Sequence, residues 1–185
     1  LDGDLAPRLR KMQAMAAPQG EELVYYPPAA IRVHESVSPP VKGKTHELIA
    51  EVEIPANGGD GMLVTAGGRT AGYALFIKNH RLTYVYNYLG IERTMLIATE
   101  NVPTGKSQLR MKFTKTGDFE GDAELFINDK SVGKTRIAKT VPITFSIEET
   151  FDVGEDTGSP VIEDVYAVPF RNEALQKLTV KIEKE

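Results

Sequence analysis

From His46 onward the chain alternates apolar and polar residues with a period of two, in short runs divided by turn residues. That period sends successive side chains to opposite faces, so each run reads as a strand with one face suited to burial. Leu48, Ala50, Val52 and Ile54 alternate with Glu47, Ile49, Glu51 and Glu53. Runs at 62–66, 73–78, 82–88 and 94–98 follow at short spacing. Leu109, Met111 and Phe113 then alternate with Arg110 and Lys112, and Ala123, Leu125 and Ile127 with Glu124, Phe126 and Asn128. A last run sets Leu178, Val180 and Ile182 against Lys177, Thr179 and Lys181.

Asn57-Gly58-Gly59, Gly67-Gly68, Asn79-His80, Gly117-Asp118 and Asn128-Asp129 separate these runs with residues that tolerate tight turns. About ten short strands at this spacing, with no βαβ alternation, predict an all-β fold: an antiparallel two-sheet β-sandwich, concanavalin- or jelly-roll-like. The segments Leu75-Phe76-Ile77-Lys78-Asn79 and Leu125-Phe126-Ile127-Asn128-Asp129 read as two similar strand-turn units. A length of 185 residues suffices for one sizeable domain.

The first 44 residues follow another rule. Residues 1–16 read as a short helix, with Asp2 or Asp4 as cap, Pro7 in the first turn, and Leu5, Leu9, Met12 and Met15 near helical spacing. Pro18 and Gly20 end it. Residues 25–44, with Pro27, Pro28, Pro39 and Pro40, read as an extended arm laid on a surface, because Leu23, Tyr25, Tyr26, Ile31 and Val33 call for burial. The expected organisation is a helix and arm over 1–44 and a β-sandwich over 45–185. A first residue of Leu1 fits a piece, or a processed form, of a longer chain.

A formal charge of −4, with basic residues scattered, argues against nucleic acid as a partner, since phosphate binding needs a basic face. Cysteine is absent, which removes disulfides and thiol chemistry. No run is long enough to span a bilayer as a helix, so no membrane partner is expected.

Gly133-Lys134-Thr135 resembles the end of a phosphate loop, but the glycine such a loop needs five residues earlier is Asn128. His34, His46 and His80 fall in no spacing that a metal or a catalytic triad demands, and no Gly-x-Ser-x-Gly is present. Two groups carry a site reading beside a plain one. Asp152, Glu155 and Asp156, in the acidic stretch 148–156, are close enough in sequence to converge on a calcium ion, or else form a solvated, turn-stabilising loop. Tyr84, Tyr86 and Tyr88 share one face of one strand, as a sugar-stacking platform or as core. Asn87 on the opposite face makes the tyrosine face the better candidate for burial.

Several segments together resemble one family, the C-terminal region of long bacterial arylsulfatases of the alkaline-phosphatase-like type. They are Thr45-His46-Glu47-Leu48-Ile49-Ala50-Glu51-Val52-Glu53-Ile54-Pro55, Gly67-Gly68-Arg69 with Gly72-Tyr73, and Leu82-Thr83-Tyr84-Val85-Tyr86-Asn87-Tyr88-Leu89-Gly90 with Glu92-Arg93. Asp152-Val153-Gly154-Glu155-Asp156-Thr157-Gly158-Ser159-Pro160-Val161, then Tyr166 and Pro169-Phe170, complete the pattern, and Tyr25-Tyr26-Pro27 resembles the stretch that joins that family's catalytic portion to its tail. The likeness keeps its order over nearly the whole chain and departs after Phe170, at Arg171-Asn172-Glu173.

The resemblance implies a concanavalin-like sandwich whose partner is the catalytic sulfatase domain of the same polypeptide. The family's chemistry, a formylglycine made from Cys or Ser in (Cys/Ser)-x-Pro-x-Arg beside a calcium ion, would lie upstream. The nearest match here, Ser38-Pro39-Pro40-Val41-Lys42, has Lys for Arg, so no catalytic residue carries over and no cofactor is expected in this segment itself. The expected function is a non-catalytic accessory domain of a sulfuric-ester hydrolase. The alternative is a lectin-like module that binds a glycan.

Overall fold

A computed structural model describes residues 22–146 and 149–184. The expected helix over 1–16 lies outside the described residues. The strands run in order β1 (Glu22–Tyr25), β2 (Val33–His34), β3 (His46–Ile54), β4 (Gly61–Gly67), β5 (Gly72–Lys78), β6 (Arg81–Tyr88), β7 (Glu92–Asn101), β8 (Gly105–Gly117), β9 (Glu120–Ile127), β10 (Lys130–Ile137), β11 (Thr150–Val153) and β12 (Leu175–Ile182). They form two six-stranded sheets: sheet A, ordered β1-β12-β3-β8-β9-β10, and sheet B, ordered β2-β11-β4-β5-β6-β7. Every pairing is antiparallel. This is the two-sheet sandwich that the period-two pattern predicts.

The tight hairpins follow from local chemistry. Asn79-His80 and Asn128-Asp129 both hold positive φ at two successive residues, the backbone of a type I′ turn, which Asn and Asp tolerate better than most residues. At the β4–β5 hairpin Gly72 has φ +151°, and a Cβ there would stand 2.1 Å from the Ala66 carbonyl oxygen.

Residues 25–44 are expected as an arm on a surface, but β1, just before and into that stretch, and β2 within it supply an edge strand to each sheet. Leu23 and Tyr25 turn inward as β1 pairs with β12, and β2 pairs with β11. Tyr26, expected to need burial, is 61% exposed, because the step of two that buries Tyr25 points it away.

The inner faces of the two sheets meet in one continuous core that includes Leu48, Leu75, Tyr84, Leu109, Met111, Leu125 and Val180. In sheet A only that face is buried: β3, β8 and β9 alternate buried with more exposed positions. In sheet B, β4, β5 and β6 are buried almost residue by residue. The cause is the segment between β11 and β12, which crosses the outer face of sheet B. Val161 and Tyr166, with Ile162, Val165 and Phe170, pack on Met62, Ala74, Phe76 and Val85. Phe76 meets Tyr166 edge-on at 5.1 Å, and Tyr166 stacks on Phe170 at 5.0 Å. Backbone ties fix this cover: Met62 N–H donates to Phe170 O at 3.0 Å, and Asn172 N–H to Gly154 O at 2.8 Å. The Arg93 Nε–H reaches Val161 O at 3.1 Å.

Removing the ring that the cover packs on tests this arrangement. Phe76→Ala is expected to cost about 3–5 kcal/mol, as buried aromatic truncations do. Ile97→Ala, half exposed on the same sheet, should stay within about 0.5 kcal/mol. Urea unfolding of both variants gives the comparison.

Candidate functional site

The tyrosine row is part of the core. On β6 Tyr84 and Tyr86 face sheet A and are 1% and 6% exposed, and only Tyr88 is half-buried. Tyr73 on β5 and Phe145 pack with them, Tyr73–Tyr84 at 6.4 Å, Tyr73–Phe145 at 5.7 Å and Tyr86–Phe145 at 6.2 Å. Tyr86 Oη accepts a hydrogen bond from Val141 N–H at 2.8 Å. Burial pushes the phenols of Tyr73, Tyr84 and Tyr86 well above their ordinary value, so all three are neutral. A sugar-stacking platform needs exposed ring faces, and Tyr84 and Tyr86 have none. The row's apolar area is spent between the sheets instead.

One carboxylate closes the end of the core beside these rings. Glu35 accepts from Lys42 Nζ at 2.5 Å, Thr144 Oγ1 at 2.6 Å, Phe145 N–H at 2.8 Å and Ser146 N–H at 3.1 Å. Burial alone would raise its pKa, but these donors outweigh burial and hold it below the usual carboxylate range. Lys42 Nζ also lies 4.7 Å from the Phe145 ring centroid. Glu35 therefore clasps residues 42 and 144–146 over the tyrosines.

Asp152, Glu155 and Asp156 do not converge on an ion. Asp152, in β11, accepts from Arg32 N–H, from Thr157 Oγ1 at 2.8 Å and from Thr157 N–H at 3.2 Å. Glu155 pairs with Arg171 at 2.5 Å. Asp156 Oδ1 takes Gly158 N–H at 3.2 Å, and its Oδ2 lies buried without a hydrogen bond near the Tyr166 hydroxyl. Among the described residues no three His, Cys, Asp or Glu side chains are grouped to hold a metal. Asp152 ties β11 to the loop that follows it, and Glu155 pairs with Arg171 farther along that loop. Burial drives the Asp156 carboxyl up to about 7, helped by the nearby charges of Asp152 and Glu149.

The remaining sequence motifs have structural explanations. Ser38 Oγ donates to Glu35 O at 2.8 Å. Gly133, Lys134 and Thr135 lie within β10, with Lys134 paired to Asp122 at 3.3 Å. His34 Nδ1 is 2.8 Å from Ser36 Oγ, and His46 is buried against Phe113.

A feature outside those sequence expectations is the outer face of sheet A. Across six strands the register places Glu22, Lys181, Glu47, Lys112, Glu124 and Lys134 in one row of alternating charge. The next row runs Val24, Thr179, Ile49, Arg110, Phe126, Ser131. At its centre the Arg110 guanidinium lies 3.9 Å from the Phe126 ring centroid and is held by Glu47 at 2.8 Å. Cross-strand opposite charges stabilise a solvated sheet. A half-buried ring under a fixed guanidinium is a different surface, with an apolar floor and hydrogen-bond donors at its border. The alternating charges of β3, β8 and β9 were visible in the sequence, but only the register aligns them.

No protein-family model and no curated protein matches the sequence. Solved structures share the fold. The CBM40 of the Ruminococcus gnavus IT-sialidase, bound to α2,3-sialyllactose, superposes with a TM-score of 0.55 at 11% identity over 91% of each chain. Leech intramolecular trans-sialidase, complexed with 2,7-anhydro-Neu5Ac, matches at 0.53 and 12% identity, over 91% of this chain and 26% of the other. Domain 4 of AbnA, a GH43 extracellular arabinanase from Geobacillus stearothermophilus in complex with arabinotriose, matches at 0.50 and 12% identity, over 78% and 63%.

Two outcomes follow from the geometry. Tyr86→Ala should destabilise the fold by about 3 kcal/mol or more. Tyr86→Phe, which keeps the ring and strands the Val141 N–H, should cost about 1–3 kcal/mol; chemical denaturation separates the two. Asp156 has its folded pKa raised from 3.8 to about 7. Its protonated form therefore favours the fold fully below about pH 4, and that contribution is lost as pH rises through 7. Asp156→Asn should remove a decline on the order of 2–4 kcal/mol across that window. Buried His46 works in the opposite sense, its pKa lowered by burial from 6.5 to about 4, so His46 adds stability as pH rises through that range.

Proposed function

We propose that this chain is a non-catalytic β-sandwich module that binds carbohydrate through the outer face of sheet A. The observation that carries the reading is the Arg110–Phe126 stack, half-buried among the cross-strand ion pairs in the middle of the sheet. A sugar ring presents an apolar C–H face and an edge of hydroxyls, and is held by an apolar or aromatic floor with polar groups around it. Phe126 and Ile49 supply the floor; Arg110, Glu47, Gln108 and Ser131 supply donors and acceptors in the same or neighbouring rows. The fold's correspondence with a sialidase CBM40 over nearly all of both chains supports the same class of ligand.

A second reading, an accessory domain attached to a sulfatase catalytic domain, rests on the ordered run of resembling segments from Thr45 to Phe170. The two are compatible, because such a module would hold a glycan beside the parent's active site. A formylglycine motif encoded upstream of Leu1 would support that attachment, and an upstream sequence without one would refute it.

Titration of the chain with a panel of neutral, sialylated and sulfated oligosaccharides tests the binding reading. At least one class should bind, and Phe126→Ala should weaken it by about tenfold or more, equivalent to about 1.4 kcal/mol. Ile97→Ala, on the opposite sheet, should leave binding unchanged. Absence of binding across the panel, or binding indifferent to Phe126, would refute the proposal.

A further inference from the structure

Two polar atoms in the core lack a protein partner and face one small cavity. His46 Nε2 and Tyr73 Oη are both buried without a hydrogen bond, on residues 5% and 2% exposed. They come from opposite sheets, His46 from the start of β3 and Tyr73 from β5. Both line a cavity at the end of the core, walled also by Tyr84, Tyr86, Phe113 and Phe145. About 10 Å³ of it admits the centre of a water-sized sphere, which is the space one water molecule needs.

The chemistry of each wall is defined. His46 Nδ1 lies 2.8 Å from Lys44 O, and a carbonyl oxygen only accepts, so Nδ1 carries the proton. Nε2 is then a bare lone pair that needs a donor. The imidazole is stacked on Phe113 at 5.3 Å and 26°, which fixes the direction of that lone pair. Burial keeps the ring neutral down to about pH 4, so it does not solve the problem by protonating. Tyr73 is wedged between Tyr84 and Phe145 and keeps its phenolic proton. Tyr86 Oη already accepts from Val141 N–H, which leaves its own proton to donate. The walls therefore offer one acceptor that cannot donate, together with the Tyr73 and Tyr86 hydroxyls, which can do either. A water molecule complements that set, since buried waters make about three hydrogen bonds.

We propose that one ordered water occupies this cavity and ties the two sheets together, donating to His46 Nε2 and accepting from Tyr73 Oη–H, with Tyr86 Oη as its third partner. The tie accounts for a polar His in an aromatic wall: the ring bonds the turn that leads into its own strand through Nδ1 and the opposite sheet through the water. It does not depend on whether the chain binds a sugar.

Oxygen-17 relaxation dispersion counts long-lived internal waters in solution, and Tyr73→Phe keeps the ring while deleting the hydroxyl. The wild-type chain is expected to hold one more long-lived water than Tyr73→Phe. The ¹⁵N resonance of His46 Nε2, a hydrogen-bonded acceptor in the wild type, should move toward the position of a free lone pair in the variant. An equal water count in a variant folded by circular dichroism overturns the proposal. Should the variant fail to fold, a wild-type crystal structure that resolves ordered solvent decides: a density peak within hydrogen-bond distance of both atoms upholds the bridge, and its absence refutes it.

Discussion

The middle of sheet B, strands β4, β5 and β6, is buried on both faces, and much else in the molecule follows from that. A strand with one wet face alternates, whereas a strand covered on both sides must be apolar or hydrogen-bonded at every residue. Strands β4, β5 and β6 meet the condition with Met62, Phe76 and Val85 on one side and Val64, Leu75 and Tyr84 on the other. Asn87, a fully buried polar side chain there, has its partners: it donates to Gly68 O and Arg69 O at 2.9 Å and accepts from Gly90 N–H at 3.0 Å. The cover comes from the long connection between β11 and β12, which is why Asp152 binds Thr157 of that connection, Glu155 pairs with Arg171 across it, and Asn172 N–H donates to Gly154 O.

The same arrangement decides where a ligand can meet the molecule. The outer face of sheet B is occupied by its own chain, and the core face by aromatic rings. Among the described residues, the outer face of sheet A is the broad sheet surface that no segment crosses. Its charges are neutralised across strands, so it presents no strong field of either sign. What distinguishes the middle of that face is the Arg110–Phe126 stack, where an aromatic floor survives among ion pairs.

Much of the fold was legible because period-two alternation is a direct report of a half-buried strand. Strands β3, β8, β9 and β12 have their expected inward residues, and the Asn79-His80 and Asn128-Asp129 turns fall where short polar side chains and positive φ coincide. Strands β10 and β11, which alternate weakly, escaped that reading, as did two further features. β1 and β2 are too short to show alternation, and Pro27, Pro28, Pro39 and Pro40 around them make 25–44 read as an arm. The segment 154–172 has no period because it contacts the sheet through scattered residues, Val161, Tyr166 and Phe170, in a loop. The candidate sites fared according to the same logic. Tyr84, Tyr86 and Tyr88 were rightly placed on one face, but their neighbours across the core belong to β5 and to residue 145, distant in sequence. Asp152, Glu155 and Asp156 are adjacent in the chain, yet each turns to a different partner, and spacing alone does not show direction.

Native-state hydrogen exchange resolved by residue measures whether the doubly covered sheet is the stable centre of the molecule. The account predicts that amides of Leu75, Phe76, Tyr84 and Val85 exchange only through global unfolding, while those of β1 and β10, at the edges of sheet A, exchange through smaller openings. Slowest exchange confined to β3 and β8, with β5 and β6 opening locally, would contradict it.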